Sequence, residues 1–164
     1  MKKISMTITL ILALCFTFSC QQVEKPVVDV SDDIEVIKAW HDQYTSSIKA
    51  GDTDSFFALY TENIVWLPPD GSIVQGKDAI RKWFPEWFIE YDTDETVTIQ
   101  EVEVFGNHAF ARGSYDYRLI HKESGNIEEG RGRVINLFER QSDGLWKCTH
   151  NIWTIESKAP PEKE

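Results

Sequence analysis

The stretch "YTENIVWLPPDGSIVQGKDAI", residues 60–80, decides how the chain is divided. Ile64 to Leu67 is a short apolar run suited to a strand. Pro68-Pro69-Asp70-Gly71 is a turn, because proline fixes φ and Asp-Gly suits a tight reversal. Gly76 then precedes a run that starts a helix. The residues before this stretch show helical spacing, and those after the next helix alternate as strands do.

Upstream, Ile34, Ile37, Trp40, Tyr44 and Ile48 recur at three- and four-residue intervals, the spacing of one helix face. Asp32, Asp33 and Glu35 suit the positive end of that helix and Gly51 stops it. Asp52 can cap a second, short helix carrying Phe56, Phe57, Leu59 and Tyr60. Downstream, Ile80, Trp83, Phe84, Trp87, Phe88 and Tyr91 form the broad apolar stripe of a third helix, which Pro85 is expected to kink or split.

The second half is strand-like. Thr96 to Phe105 alternates, but its apolar parity switches from Val97 and Ile99 to Val102 and Val104, which predicts a bulge. Ala109 to Leu119 keeps one face through a period of two. Gly125-Asn126 and Ser142-Asp143-Gly144 separate two further strands, Arg131 to Arg140 and Trp146 to Ile155. Three helices followed by four long antiparallel strands make an α+β domain over residues 32–156. The polar tail, 157–164, with Pro160-Pro161, is expected to be disordered.

The first twenty residues are a different kind of segment. Lys2 and Lys3 precede an apolar run from Ile4 to Phe18, too short for a membrane-spanning helix and typical of a secretion signal over residues 1–19. Thr17-Phe18-Ser19-Cys20 resembles the lipobox of bacterial lipoproteins. On that reading Cys20 carries lipid, residues 20–31 form a tether, and the domain is held at a membrane of the bacterial cell envelope.

The formal charge is −10, and loss of Lys2 and Lys3 makes the remainder more acidic. Such a surface disfavours nucleic acid as a partner. Of three cysteines, Cys15 leaves with the signal and Cys20 with the lipid, so Cys148 is alone and no disulfide framework forms. His41, His108, His121 and His150 lack metal-ligand spacing, and there is no Gly-rich phosphate loop or nucleophile elbow. Neither a metal nor a cofactor is expected, and each histidine reads as a surface or hydrogen-bonded residue.

The order helix, Gly-Asp, short helix ending in Leu-Tyr, strand, Pro-Asp-Gly turn, Gly-x-x-Ala-Ile helix and strands ending in Trp-Lys resembles the SnoaL-like and ketosteroid-isomerase-like branch of the nuclear transport factor two superfamily. "AGDTDSFFALYTENIVWLPPDG" (50–71), "GKDAI" (76–80) and "GLWK" (144–147) carry the resemblance. It implies a cone: a curved antiparallel sheet with three N-terminal helices closing a pocket. Tyr44 falls where the isomerases keep a tyrosine that donates to a substrate oxyanion, and Asn136 falls where they keep a second donor. Two such donors could each be worth about a hundred- to a thousandfold in rate. The isomerases' general base falls on Pro68, which cannot move a proton. Asp70 stands two residues on, about 6.6 Å along an extended chain, as a candidate base or as a turn former.

Parity and the resemblance together point Trp66, Tyr115, Tyr117, Asn151 and Trp153 into the pocket, with Cys148 and His150 on the opposite face. These residues would line an apolar small-molecule site with a few polar tips. Three functions follow: a membrane-tethered cup for a small, mostly apolar ligand; an isomerase, dehydratase or cyclase using Tyr44, Asn136 and Asp70; or an interaction module that forms a homodimer through its outer sheet face.

Overall fold

The structure is a computed structural model, and it describes residues 29–156, apart from the side chains of 83–87. The signal segment, Cys20, the tether up to residue 28, the tail 157–164 and the apolar positions Trp83, Phe84 and Trp87 lie outside what is described. Among the described residues no helix is long and apolar enough to cross a membrane.

Helix α1 (Ser31–Ala50) carries Asp32 and Asp33 in its first turn and ends at Gly51, whose φ of 65° caps it in the left-handed conformation. Glycine takes that conformation without steric cost. Helix α2 (Thr53–Ala58) starts at Asp52, which accepts a bond from the Ser55 backbone N–H at 3.0 Å. It ends at Ala58, two residues earlier than its apolar pattern suggests. The Leu59 carbonyl is taken by the Cys148 N–H, and Tyr60 opens strand β1 (Tyr60–Leu67).

A two-residue strand β2 (Val74–Gln75) follows, then helix α3 (Lys77–Glu90). Proline removes one backbone donor, and α3 continues past Pro85 without splitting. Tyr91, expected on the helix, instead begins β3 (Tyr91–Phe105), because pairing with β4 (His108–His121) extends to Tyr91 opposite His121. The predicted bulge lies in β3 at Gln100, where the register shifts between Ile99 and Glu101. Strands β5 (Ile127–Arg140) and β6 (Trp146–Ile155) complete the fold.

The sheet has the order β2-β1-β6-β5-β4-β3; it is curved and unclosed, with the helices on its inner side. All pairings are antiparallel except β1 with β6, which are parallel. This is the α+β cone that the sequence implied, with one parallel junction added. The core lies beneath α1 and α2, where Ile37, Trp40, Phe56, Phe57, Tyr60, Ile64 and Phe138 are buried. Each large apolar side chain placed there stabilises the fold by about 1.5–3 kcal/mol. Trp40 anchors α1: its ring meets Tyr60 and Phe138 edge to face, and its indole N–H donates to the Leu59 carbonyl at 3.0 Å.

A second irregularity reorients β6. Between Leu137 opposite His150 and Phe138 opposite Cys148 the register shifts, leaving Thr149 as the extra residue. The parity of β6 therefore changes at that point. Asn151 and Trp153 face inward as expected, and His150 faces outward. Cys148 does not share the face of His150: it is fully buried in the core.

Candidate functional site

The cone encloses a cavity of about 480 Å³. All eight pocket residues expected from sequence (Tyr44, Trp66, Asp70, Tyr115, Tyr117, Asn136, Asn151 and Trp153) contribute to its wall. They arrive from α1, β1, the turn after β1, β4, β5 and β6, so the complete fold is required to assemble them.

At the inner end a chain of polar side chains is held in one orientation. His41 Nδ1 lies 2.9 Å from the Ile37 carbonyl, which can only accept, so that nitrogen carries the proton. Nε2 must then accept, and Asn136 donates to it through Nδ2 at 3.0 Å. The Asn136 amide is thereby fixed with its oxygen toward Asn151, whose Nδ2 donates to it, and Cys148 Sγ lies 3.9 Å from the same oxygen. Burial lowers the pKa of His41, which favours the neutral imidazole this network needs. Asn136 thus donates one amide hydrogen to His41. Burial pushes the Cys148 thiol well above the usual range, against reactivity.

Midway along the wall stands a carboxyl that the sequence reading passed over. Glu95 shares the inward parity of Val97 and Ile99 on β3 and lines the cavity. Tyr44 O–H donates to its Oε2 at 3.5 Å, a long contact. Burial raises the Glu95 pKa to about 7, since a carboxylate loses hydration there and gains no cation. The Tyr44 hydroxyl is likewise pushed well above its ordinary range, by burial first and the Glu95 charge second. Tyr44 is stacked on Trp40 with ring centroids 5.7 Å apart. Tyr60 also reaches the cavity wall, and its buried hydroxyl has no hydrogen-bond partner. A buried hydroxyl without a partner carries a free-energy cost.

Toward the mouth the wall is tyrosine laid on glycine. Tyr115 and Tyr117 sit opposite Gly132 and Gly130 on β5. A Cβ at Gly132 would lie 1.8 Å from the Thr154 carbonyl oxygen and 2.6 Å from the Tyr115 ring. Their hydroxyls donate to the Thr154 carbonyl at 3.0 Å and to Glu128 at 3.2 Å. Trp66 and Trp153 meet edge to face at 5.6 Å across the β1–β6 junction. Asp70 is at the rim: its Oδ1 accepts from the Ser72 N–H at 2.9 Å, and that bond holds its carboxyl below the usual range. This is the geometry of a turn former.

A family model described as "SnoaL-like domain" matches residues 40–148. The chain belongs to the SnoaL-like family. Solved structures with the same fold include a ketosteroid isomerase-like protein from Erwinia carotovora atroseptica, 21% identical with a TM-score of 0.69, covering 77% of this chain and 98% of that one. A conserved protein from Planctomyces limnophilus is 16% identical with a TM-score of 0.72, covering 77% and 99%. A nuclear transport factor 2-like superfamily protein from Salmonella enterica serovar Typhimurium is 16% identical with a TM-score of 0.69, covering 83% and 99%. No curated protein matches the sequence significantly. Similarity at these identities establishes the fold, and a fold by itself does not fix a function.

Three features of the site escaped sequence reasoning: Glu95, the His41–Asn136 bond and the Tyr60 hydroxyl. Glu95 alone carried a signal, its two-residue spacing from Val97. The others depend on how α1 and β1 lie against β5.

Proposed function

We propose that this SnoaL-like domain binds a small, mostly apolar molecule in its cone, with the polar group of that molecule at the end lined by Tyr44, Glu95 and Asn136. The observation that carries this reading is the cavity itself. Its volume of about 480 Å³ is that of a small-molecule site, and its aromatic wall converges on a few oriented polar groups. Native mass spectrometry of a Cys20→Ser chain is the test. A small molecule retained after purification and released on unfolding is the expected result, and an empty cone that binds no member of a diverse apolar library overturns the reading.

A second reading, an acid–base enzyme of the isomerase, dehydratase or cyclase kind, draws on the Tyr44–Glu95 contact. Pro68 occupies the place of the isomerase base, and Glu95 brings a carboxyl to the cavity from another strand. A carboxyl with a pKa near 7 is well matched to moving a proton at neutral pH, whereas Asp70 is exposed and engaged with Ser72. Tyr44 and Asn136 would serve as donors to a developing oxyanion. If an activity is found and Tyr44→Phe combined with Glu95→Gln leaves its rate untouched, this assignment fails.

Lipidation at Cys20 would place the cup at a membrane surface. Loss of labelled fatty acid in Cys20→Ala, with release of the protein from the membrane fraction, is the expected outcome. The half-exposed Ile135 and Leu137 on the outer face of β5 suit a sheet-to-sheet homodimer, which sedimentation of the Cys20→Ser chain tests.

A further inference from the structure

The charges around the cavity are one-sided. Glu95 stands inside it, Asp70 and Glu128 stand in its wall near the mouth, and among the described residues lining it there is no lysine or arginine. The groups facing Glu95 come from every neighbouring element. Helix α1 supplies Tyr44 and, one turn earlier, the neutral His41; β1 supplies Tyr60; β4 supplies Tyr115 and, directly across the pair, Tyr117. Helix α3 contributes Phe88, which packs on the same core and carries no charge. Lys49, a little over one turn beyond Tyr44, is out in solvent on Asp94. Glu95 is therefore a carboxyl set among tyrosine rings, with Tyr44 at 3.5 Å as its hydrogen-bond donor.

We infer that the cone selects a hydrophobic amine, with its ammonium group against the Glu95 carboxylate among the surrounding tyrosine rings and its apolar body against Trp66, Trp153 and Leu119. The inference rests on the reading of the cone as a binding site and names the class of ligand. An ammonium brings N–H donors and a positive charge. The Glu95 carboxylate accepts from it and balances its charge. The faces of tyrosine rings attract a cation, more strongly where water is excluded. An anionic ligand would meet only like charge. A neutral one would leave Glu95 either protonated or ionised without compensation. The raised pKa of Glu95, about 7, adds a consequence. Near neutral pH the empty site holds a fraction of a proton, and the arriving ammonium displaces it.

Three probes with one skeleton separate these cases: 4-phenylbutylamine, 4-phenylbutanol and 4-phenylbutyrate, each titrated calorimetrically into the purified protein at pH 6, 7 and 8. The amine is expected to bind at least about tenfold more tightly than the alcohol at pH 8, with the carboxylate weakest and the amine's advantage narrowing at pH 6. Glu95→Gln should reduce the amine to the level of the alcohol, while Asp70→Asn should leave the preference in place. Proton release on amine binding at pH 7, read from the dependence of the heat on buffer ionisation, tests the same point in the unsubstituted protein. Equal binding of amine and alcohol, or an amine preference that survives Glu95→Gln, overturns the inference while leaving the pocket standing. If none of the three binds, the binding reading falls with it.

Discussion

Asp94 and Glu95 are neighbours on β3, and the pleat sends them to opposite sides of the sheet. Asp94 meets Lys49 at 3.0 Å with both side chains about two-thirds exposed, 66% and 70%. Glu95 faces the cavity, accepts from Tyr44 at 3.5 Å, and has its pKa raised by burial to about 7. The outer face continues in the style of Asp94, with Arg118 on Glu129, Arg131 near Asp116 and Arg133 on Glu156. The inner face is aromatic, with its polar groups fixed by one another. Two similar side chains thus have different chemistry because one has water and a counter-charge and the other has neither.

The adjacent pair at 137 and 138 makes the widest version of this contrast. Phe138→Ala is expected to destabilise the fold by about 3–5 kcal/mol. Leu137→Ala, on the outer face, should cost under about 1 kcal/mol, both read by urea denaturation. Comparable losses at the two sites would break the inner–outer distinction.

The pair at 94 and 95 sharpens it through pH. Because the folded Glu95 pKa is raised from 4.5 to about 7, its contribution to stability is complete below pH 4.5 and is lost as pH rises through about 7. The full loss is up to about 3 kcal/mol. Glu95→Gln should remove this decline and unfold at higher temperature than the parent at pH 8, whereas Asp94→Asn removes only an exposed pair with Lys49 and should change stability by less than about 1 kcal/mol. Thermal melts across pH 4 to 8 distinguish the two variants.

Gly132→Ala should cost about 1–3 kcal/mol, since the new methyl meets a backbone oxygen that cannot rotate away. Tyrosine fluorescence should report a displaced Tyr115. Lys49→Ala removes only an exposed ion pair and should change stability by less than about 1 kcal/mol, with the effect vanishing in high salt.

Much of this arrangement is legible in the sequence where a side chain's own chemistry fixes its place. Gly51 and Asp52 mark a helix end and a helix start by conformation and capping alone, and the parity switch around Gln100 announces its bulge. Tyr44, Asn136, Asn151 and Trp153 could be directed to the pocket through the family resemblance. The first five residues of β3, 91–95, were the costly omission. Tyr91 continues the helical stripe and Asp92 to Glu95 carries acidic and hydroxyl side chains, and only pairing with β4 makes them strand. Once the start of β3 moves back, Glu95 falls on the inward face by counting in twos. Cys148 could not be oriented by counting, because the extra residue at Thr149 is chosen by the pairing of β5 with β6 and leaves no mark in composition. The parallel contact between β1 and β6 is a long-range choice of the same kind.

The buried position of Cys148 has a practical consequence. It is fully buried, and it is the one cysteine among the described residues. A thiol reagent can reach it only when β6 separates from the helices above it, so the labelling rate is a clock for opening of the cone. Divided by the rate for an unprotected thiol, that rate gives the fraction of time the molecule spends open. Any molecule that occupies the cavity should slow the clock in proportion to its affinity. Among the described residues the protein thus carries one thiol whose labelling reports cavity occupancy by any candidate molecule.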